Sequence, residues 1–275
     1  MCWLSMNQVT TFRWSLAEDV DYYRQAGYRS IGVWQGKLID WDRESAIDLL
    51  AMSGLGVSSL SCAGGFTGSD GRTLRESVGD AAEALRLAAA MRAGCLVVYP
   101  GGRNNHTYRH AGRLLRTALD ELLPLAEDCE VPVAIGPMHP ACATGWTFLT
   151  DILSVMDLLD DYSSPYLKLA YDTYHLCAEE DACDLLAASA KHLAVVFLSD
   201  RRSRPTIDHE CCALGCGQLP LGDVVSALLE AGYAGPLDVR LMGPEIETSD
   251  YRTLLEQSQL AYADLVQTSA ARSFV

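Results

Sequence analysis

The sequence predicts one (β/α)8 barrel over residues 1–275, and three observations lead there. Short apolar or β-branched runs alternate with long helical patterns through eight units, the chain of 275 residues has the size of one such barrel, and no Gly-x-Gly-x-x-Gly follows the first strand to support a dinucleotide fold. With 49% hydrophobic residues the chain can bury one large core, and nothing in it reads as a linker, a low-complexity segment or a short-period repeat.

The elements follow in order. A weak first strand is read in "SMNQVTT" (5–11), followed by a helix over 15–26 whose "SLAE" start has the form of a capping box. "YRSIGVW" (28–34) and "GVSSLSC" (56–62) are the second and third strands, with helices predicted over 43–53 and 73–92. "GCLVVYP" (94–100) precedes a helix over 110–128, and "VPVAIG" (131–136) precedes one over 147–160. "YLKLAYD" (166–172), "LAVVFLSD" (193–200) and "GPLDVRLM" (235–242) are the last three strands, each followed by a helix: 181–190, 221–231 and 249–268. Near-continuous apolar runs are what parallel strands covered on both faces require.

Charge and composition narrow the partners. Lys and Arg number 21 against 36 Asp and Glu, a net charge of −15, so a phosphate backbone is repelled and nucleic acid is not an expected partner. No apolar run approaches a membrane span, and "MCWLSMNQVTTFRW" has neither the basic flank nor the continuous apolar stretch of a leader, so a soluble cytoplasmic protein is expected. A homodimer is compatible with the sequence. The ten cysteines read as reduced thiols, several of them in apolar contexts (Cys62, Cys95, Cys129, Cys183). "HECCALGC" crowds His209, Cys211, Cys212 and Cys216 together, but the spacing matches no standard structural zinc pattern, and a plain loop is expected.

In a barrel of this kind chemistry comes from the C-terminal ends of the strands and the loops after them. That rule selects Trp34, Cys62 with "AGGFTG", Tyr99 with "PGGRNNH", Gly136 with His139, Asp172 with His175, Phe197 with Asp200 and Arg201, and Arg240. The glycine-rich turns lack a Walker lysine and are weak as phosphate cradles. Trp34, Phe66 and Trp146 can wall a sugar ring or simply pack as core. Lys168 shares the inward face of its strand with Asp172 and is expected in the barrel floor as an ion-pair partner, with a Schiff-base lysine as the alternative.

"EDVDYYRQAGYRSIGVW", "GPMHP", "LAYDTYHL", "VVFLSDRR" and "GCGQLPLGDVVSALLEAGYAGPLDV", in this order and spacing, resemble the xylose-isomerase-like sugar phosphate isomerase/epimerase family of metal-dependent barrels. The resemblance covers most of the chain. It implies a metal held by glutamate, aspartate, histidine and glutamate at the ends of strands five to eight. Here those positions hold Gly136, Asp172, Phe197 and Arg240, so no metal ligand set and no cofactor are expected.

Arg240 instead brings a fixed positive charge, with Asp172 as its natural partner. That pair is either a structural plug or an anion holder that polarises a substrate carbonyl. The resemblance places His175 against a sugar oxygen, while His139 either binds substrate or holds its loop. Tyr99, Asp200, Arg201 and Trp146 complete the expected binding residues, with Arg201 or Arg202 able to hold a carboxylate or phosphate. The expected function is that of a sugar isomerase or epimerase of carbohydrate or polyol metabolism, acting on a sugar or sugar acid through Asp172, His175 and Arg240. Its rivals are a metal-independent lyase or hydrolase on a modified sugar and a non-catalytic barrel that binds a sugar or a partner protein.

Overall fold

The eight apolar runs pair side by side as parallel strands: β1 Trp3–Asn7, β2 Ser30–Trp34, β3 Gly56–Gly64, β4 Leu96–Tyr99, β5 Val133–Ile135, β6 Leu167–Asp172, β7 Leu193–Leu198 and β8 Pro236–Val239. The computed structural model describes residues 2–178 and 181–272. Each strand bonds to the next and β8 returns to β1, so the sheet is a closed barrel without an edge.

The connecting helices are α1 Leu16–Gln25, α2 Arg43–Ser53, α3 Leu74–Ala90, α4 Tyr108–Asp128, α5 Ile152–Tyr162, α6 Thr173–Leu176, α7 Ala182–Ala188, α8 Leu221–Glu230, α9 Pro244–Thr248 and α10 Tyr251–Arg272. The α1 capping box forms as its sequence requires. Ser15 Oγ accepts from the Glu18 amide at 3.3 Å, and the Glu18 carboxylate accepts from the Ser15 amide at 2.8 Å.

The structure departs from the sequence reading at several boundaries, β7 ending at Leu198 rather than 200 and β8 at Val239 rather than 242, and it adds the short helices α6 and α9. Two boundaries and one side chain have a local cause. β1 begins at Trp3 and stops at Asn7, because the Asn7 side chain accepts from the Val9 amide at 3.1 Å and its carbonyl from the Thr10 amide at 3.0 Å, turning the chain where β-formers would otherwise continue. α5 starts at Ile152 rather than 147: Thr147 Oγ1 accepts from the Leu149 amide at 3.1 Å, and Asp151 caps the helix through the Ser154 amide at 2.7 Å. Lys168 forms no ion pair among the described residues. It is half-buried, and its ammonium donates to the Lys191 carbonyl at 3.2 Å.

The barrel interior has an apolar and a polar side. Cys95, Val97 and Tyr99 of the β4 segment alternate inward to meet Ala134, Ala170, Val195 and Phe197, with Met138 above them. Around β8, β1 and β3 the interior is polar instead. Asn7 Nδ2 donates to Asp238 Oδ2 at 2.9 Å, Ser58 Oγ donates to the same oxygen at 3.3 Å, and Ser5 Oγ donates to Ser58 Oγ at 2.9 Å. Gly32 makes room for this cluster, since a Cβ there would lie 2.2 Å from Asp238 Oδ2. Burial pushes the Asp238 carboxyl up to about 6, its hydrogen bonds only partly offsetting the loss of water.

Because that value is raised on folding, the associated stability is complete below the unfolded carboxyl value and is lost as pH rises through about 6. The loss amounts to about 3 kcal/mol. Urea unfolding at about pH 4 and about pH 8 should therefore show Asp238→Asn gaining about 2–2.5 kcal/mol on the wild type across the interval, part of the loss having occurred already at pH 4. Parallel profiles would mean that Asp238 ionises in the fold without penalty.

Candidate active site

The C-terminal ends of β4 to β8 bring five positions into one ring. The Gly136 amide donates to the Val98 carbonyl at 3.0 Å, which continues the β4–β5 register past β5 and sets Gly136 beside Tyr99. Asp172 pairs with Phe197, Phe197 pairs with Asp238, and the Arg240 amide bonds to the Leu198 carbonyl at 3.0 Å, so Arg240 lies one inward step above Asp238.

Gly136 is explained by its neighbour. A Cβ at this position would stand 2.4 Å from Tyr99 Cε1, so the Tyr99 ring occupies the space that a side chain on β5 would need. From there the Tyr99 hydroxyl accepts from Arg240 Nη1 at 2.7 Å. The guanidinium lies 4.8 Å over the Phe197 ring, and Nη1 is 3.6 Å from Asp172 Oδ2. Asp172 Oδ1 is separately held by the Tyr174 amide at 2.9 Å and by Ser199 Oγ at 3.3 Å.

Burial opposes the Arg240 charge, but Tyr99 and Asp172 together hold the guanidinium pKa above its usual value. For Asp172 burial is the stronger influence and raises the carboxyl, with Arg240 pulling the other way. The residues do not fit the metal that the resemblance implies. A tyrosine ring fills the first ligand position, phenylalanine and arginine hold the third and fourth, and the one remaining carboxylate already faces a cation.

Above this ring opens a cavity of about 390 Å³ with Trp34, Tyr99, Trp146, Met138, His209 and Arg240 on its wall, and Phe12 and Ile207 among its exposed apolar lining. Trp146 is 48% exposed and meets the Tyr99 ring edge-on at 5.9 Å. A larger cavity of about 680 Å³ lies on the β2–β4 side and shares Cys62, Tyr99 and Trp146 with the first. It does not reach Arg240, and its Arg72 is already paired with Asp70 and Asp80. The smaller cavity is therefore the one whose wall includes the Arg240 guanidinium of the ring.

The sequence candidates divide between wall and support. Trp34, Tyr99, Trp146 and Arg240 share the cavity wall. Asp172 and His175 lie behind it, 4% and 3% exposed. Phe66 is buried in the outer core. Asp200 closes the 200–219 loop, accepting from the amides of Arg201 (2.8 Å), Gly215 (3.0 Å), Gly217 (2.9 Å) and Leu219 (3.2 Å). Arg201 is buried, with Nε donating to the Tyr174 carbonyl at 3.0 Å and Nη1 to the Ser203 carbonyl, while Arg202 pairs with Glu245. His139 is half-buried, and its Nδ1 accepts from the Ala141 amide at 3.2 Å.

Sequence reasoning did not select His209 as a wall residue, nor Met138 or Cys142 as site residues. His209 was grouped with three cysteines, none of which lines the cavity: Cys211 and Cys212 are buried, and Cys216 is exposed. All ten cysteines are free thiols.

Two substitutions test the ring. Tyr99→Phe leaves a buried guanidinium N–H without its acceptor and should cost about 1.5–3 kcal/mol in denaturant unfolding. Gly136→Ala should cost about 1–3 kcal/mol by displacing the ring. Losses below about 0.5 kcal/mol in both would separate Tyr99 from the support of Arg240.

Comparison with known proteins agrees with this geometry at the level of fold. The chain superposes on the crystal structure of protein SMc04130 from Sinorhizobium meliloti 1021 with a TM-score of 0.88 and 22% identity, covering 95% of this chain and 98% of that one. It is similar to IolI protein with a bound zinc atom (TM-score 0.84, 18% identity, 97% and 99% covered) and to L-ribulose 3-epimerase (0.81, 17%, 99% and 97%). No curated protein sequence matches the chain. The family model described as xylose isomerase-like TIM barrel matches residues 20–259, and the chain belongs to that family.

Proposed function

We propose that this barrel is a sugar isomerase- or epimerase-like protein that binds a sugar acid or another sugar derivative with an enolisable carbonyl, using Arg240 where relatives would use an ion. The observation that carries the reading is the Arg240 guanidinium on the wall of the 390 Å³ cavity, with Trp34, Tyr99 and Trp146 beside it. Moving a proton next to a carbonyl builds negative charge on the carbonyl oxygen, and a fixed, preorganised cation stabilises that charge. The indole and phenol rings supply apolar surface for the less polar face of a sugar. Asp172 acts through Arg240, as a positioning residue.

A second reading, a barrel that binds such a ligand without turning it over, is favoured by one observation. Asp172 and His175, the two proton-transfer candidates from sequence, both lie off the cavity wall. Proton exchange distinguishes the two: NMR in deuterated water detects label entering next to the carbonyl of a bound sugar acid only if the site is catalytic.

Calorimetry with sugar acids and the matching neutral sugars tests the binding claim common to both readings. Sugar acids should bind more tightly, and Arg240→Met should weaken them at least about tenfold, a difference of about 1.4 kcal/mol. Arg240→Lys keeps a charge but loses the planar fork, and should fall between the two. Equal or tighter binding of the neutral sugars would remove Arg240 from ligand recognition.

A further inference from the structure

Behind the cavity wall, three loops bring together side chains that the fold does not otherwise need. Cys142 follows β5, His175 lies on the short α6 after β6, and His209 lies in the long loop after β7. One ligand atom from each lies within 4.8 Å of the other two, and this is the one such group of three among the described residues. Cys142 is 1% exposed and His175 3%.

The hydrogen-bond inventory makes the cluster unusual. Both ring nitrogens of His175 are buried and have no hydrogen-bond partner, and neither does the buried Nε2 of His209. Buried polar atoms are almost always satisfied, and leaving one without a partner costs about 1–3 kcal/mol. His209 Nδ1 faces the Ile207 carbonyl at 3.0 Å and must be the protonated nitrogen, which leaves a lone pair on Nε2. A carbonyl fixing the far nitrogen of an imidazole is the arrangement that orients metal-binding histidines. The His209 ring is further held by stacking on Tyr174 at 5.4 Å and by an edge-on contact with His175 at 5.2 Å. Burial lowers the pKa of both imidazoles, which favours the neutral form that binds a metal.

The geometry points to a zinc site held by Cys142, His175 and His209, displaced from the strand-end position that Arg240 occupies. One thiolate and two imidazoles suit a borderline-soft divalent ion, and three protein ligands leave one position open. An ion with tetrahedral bonds of about 2.0–2.3 Å holds its ligand atoms roughly 3.3–3.8 Å apart, so a spread within 4.8 Å has to close by only about 1 Å. The Cys142 Sγ–H now points to the Thr206 carbonyl at 3.1 Å. On binding, the S–H bond gives way to a sulfur–zinc bond and one proton leaves to solvent per ion bound. Arg240 and Arg201 act against a cation here, and the new thiolate together with the Asp172 carboxyl opposes them. His209 also lines the cavity, so the ion would stand at its border. The inference is independent of the ligand proposed for Arg240.

The test uses the full chain purified without chelator. Elemental analysis should find about one zinc per chain. After the zinc is removed, titration with Co²⁺ should produce the visible bands of tetrahedral cobalt and a thiolate-to-cobalt charge-transfer band. Cys142→Ser should abolish the charge-transfer band, and His209→Ala should weaken cobalt binding at least about tenfold. Cys216→Ser, in the same loop as His209, should leave both signals intact. Circular dichroism spectra and melting curves establish that each variant is folded. Folded wild-type protein that neither carries zinc nor develops the cobalt bands would overturn the site. So would a charge-transfer band that survives Cys142→Ser or vanishes with Cys216→Ser.

Discussion

A guanidinium that cannot lose its proton sits at the top of this barrel, and the surrounding residues are arranged around keeping it there. Burying a charge costs several kcal/mol unless it is paired and hydrogen-bonded. Arg240 meets that requirement from three directions: the Tyr99 hydroxyl at 2.7 Å, the Asp172 carboxylate at 3.6 Å and the face of Phe197 at 4.8 Å. Each partner comes from a different strand end, so the closure of the barrel is what assembles the pocket for the charge.

Substitutions that look unrelated along the chain become one event in space. An arginine at the end of β8 needs an acceptor, the tyrosine that provides it needs room, and the glycine after β5 gives that room. Phenylalanine on β7 then offers a ring face where an imidazole would add a competing donor. One layer below, Asp238 helps neutralise the same axis, and Asn7 and Ser58 satisfy one of its oxygens. The strand-end position that the resemblance assigns to an ion is thus filled by a guanidinium, with an open cavity above it.

The eight-unit alternation was legible because parallel strands and amphipathic helices leave different periods in the sequence, and Gly136, Asp172, Phe197 and Arg240 were legible because strand ends can be counted. The first strand was misread where Val9, Thr10 and Thr11 carry β-propensity, because the Asn7 side chain captures the Val9 amide and bends the chain first. Likewise Thr147, Phe148 and Leu149 continue an apolar pattern, but Asp151 is the cap that starts α5. That the Tyr99 ring stands over Gly136 could not be read, since it depends on the β4–β5 register. Cys142, His175 and His209 lie on three loops whose convergence only the closed barrel reveals. Asp200 and Arg201 were plausible ligand holders by position, but both Asp200 oxygens accept from backbone amides, three of them in the loop at 215–219, and Arg201 donates to the Tyr174 and Ser203 carbonyls.

The most direct measurement of the central claim is a double-mutant cycle on Asp172 and Arg240 by denaturant unfolding. Asp172→Asn and Arg240→Met should each cost about 3–5 kcal/mol by stranding a buried charge, and the double variant should recover at least about 2 kcal/mol of the summed loss. Strictly additive losses would contradict the account, because the two charges would then not be holding one another at the barrel mouth.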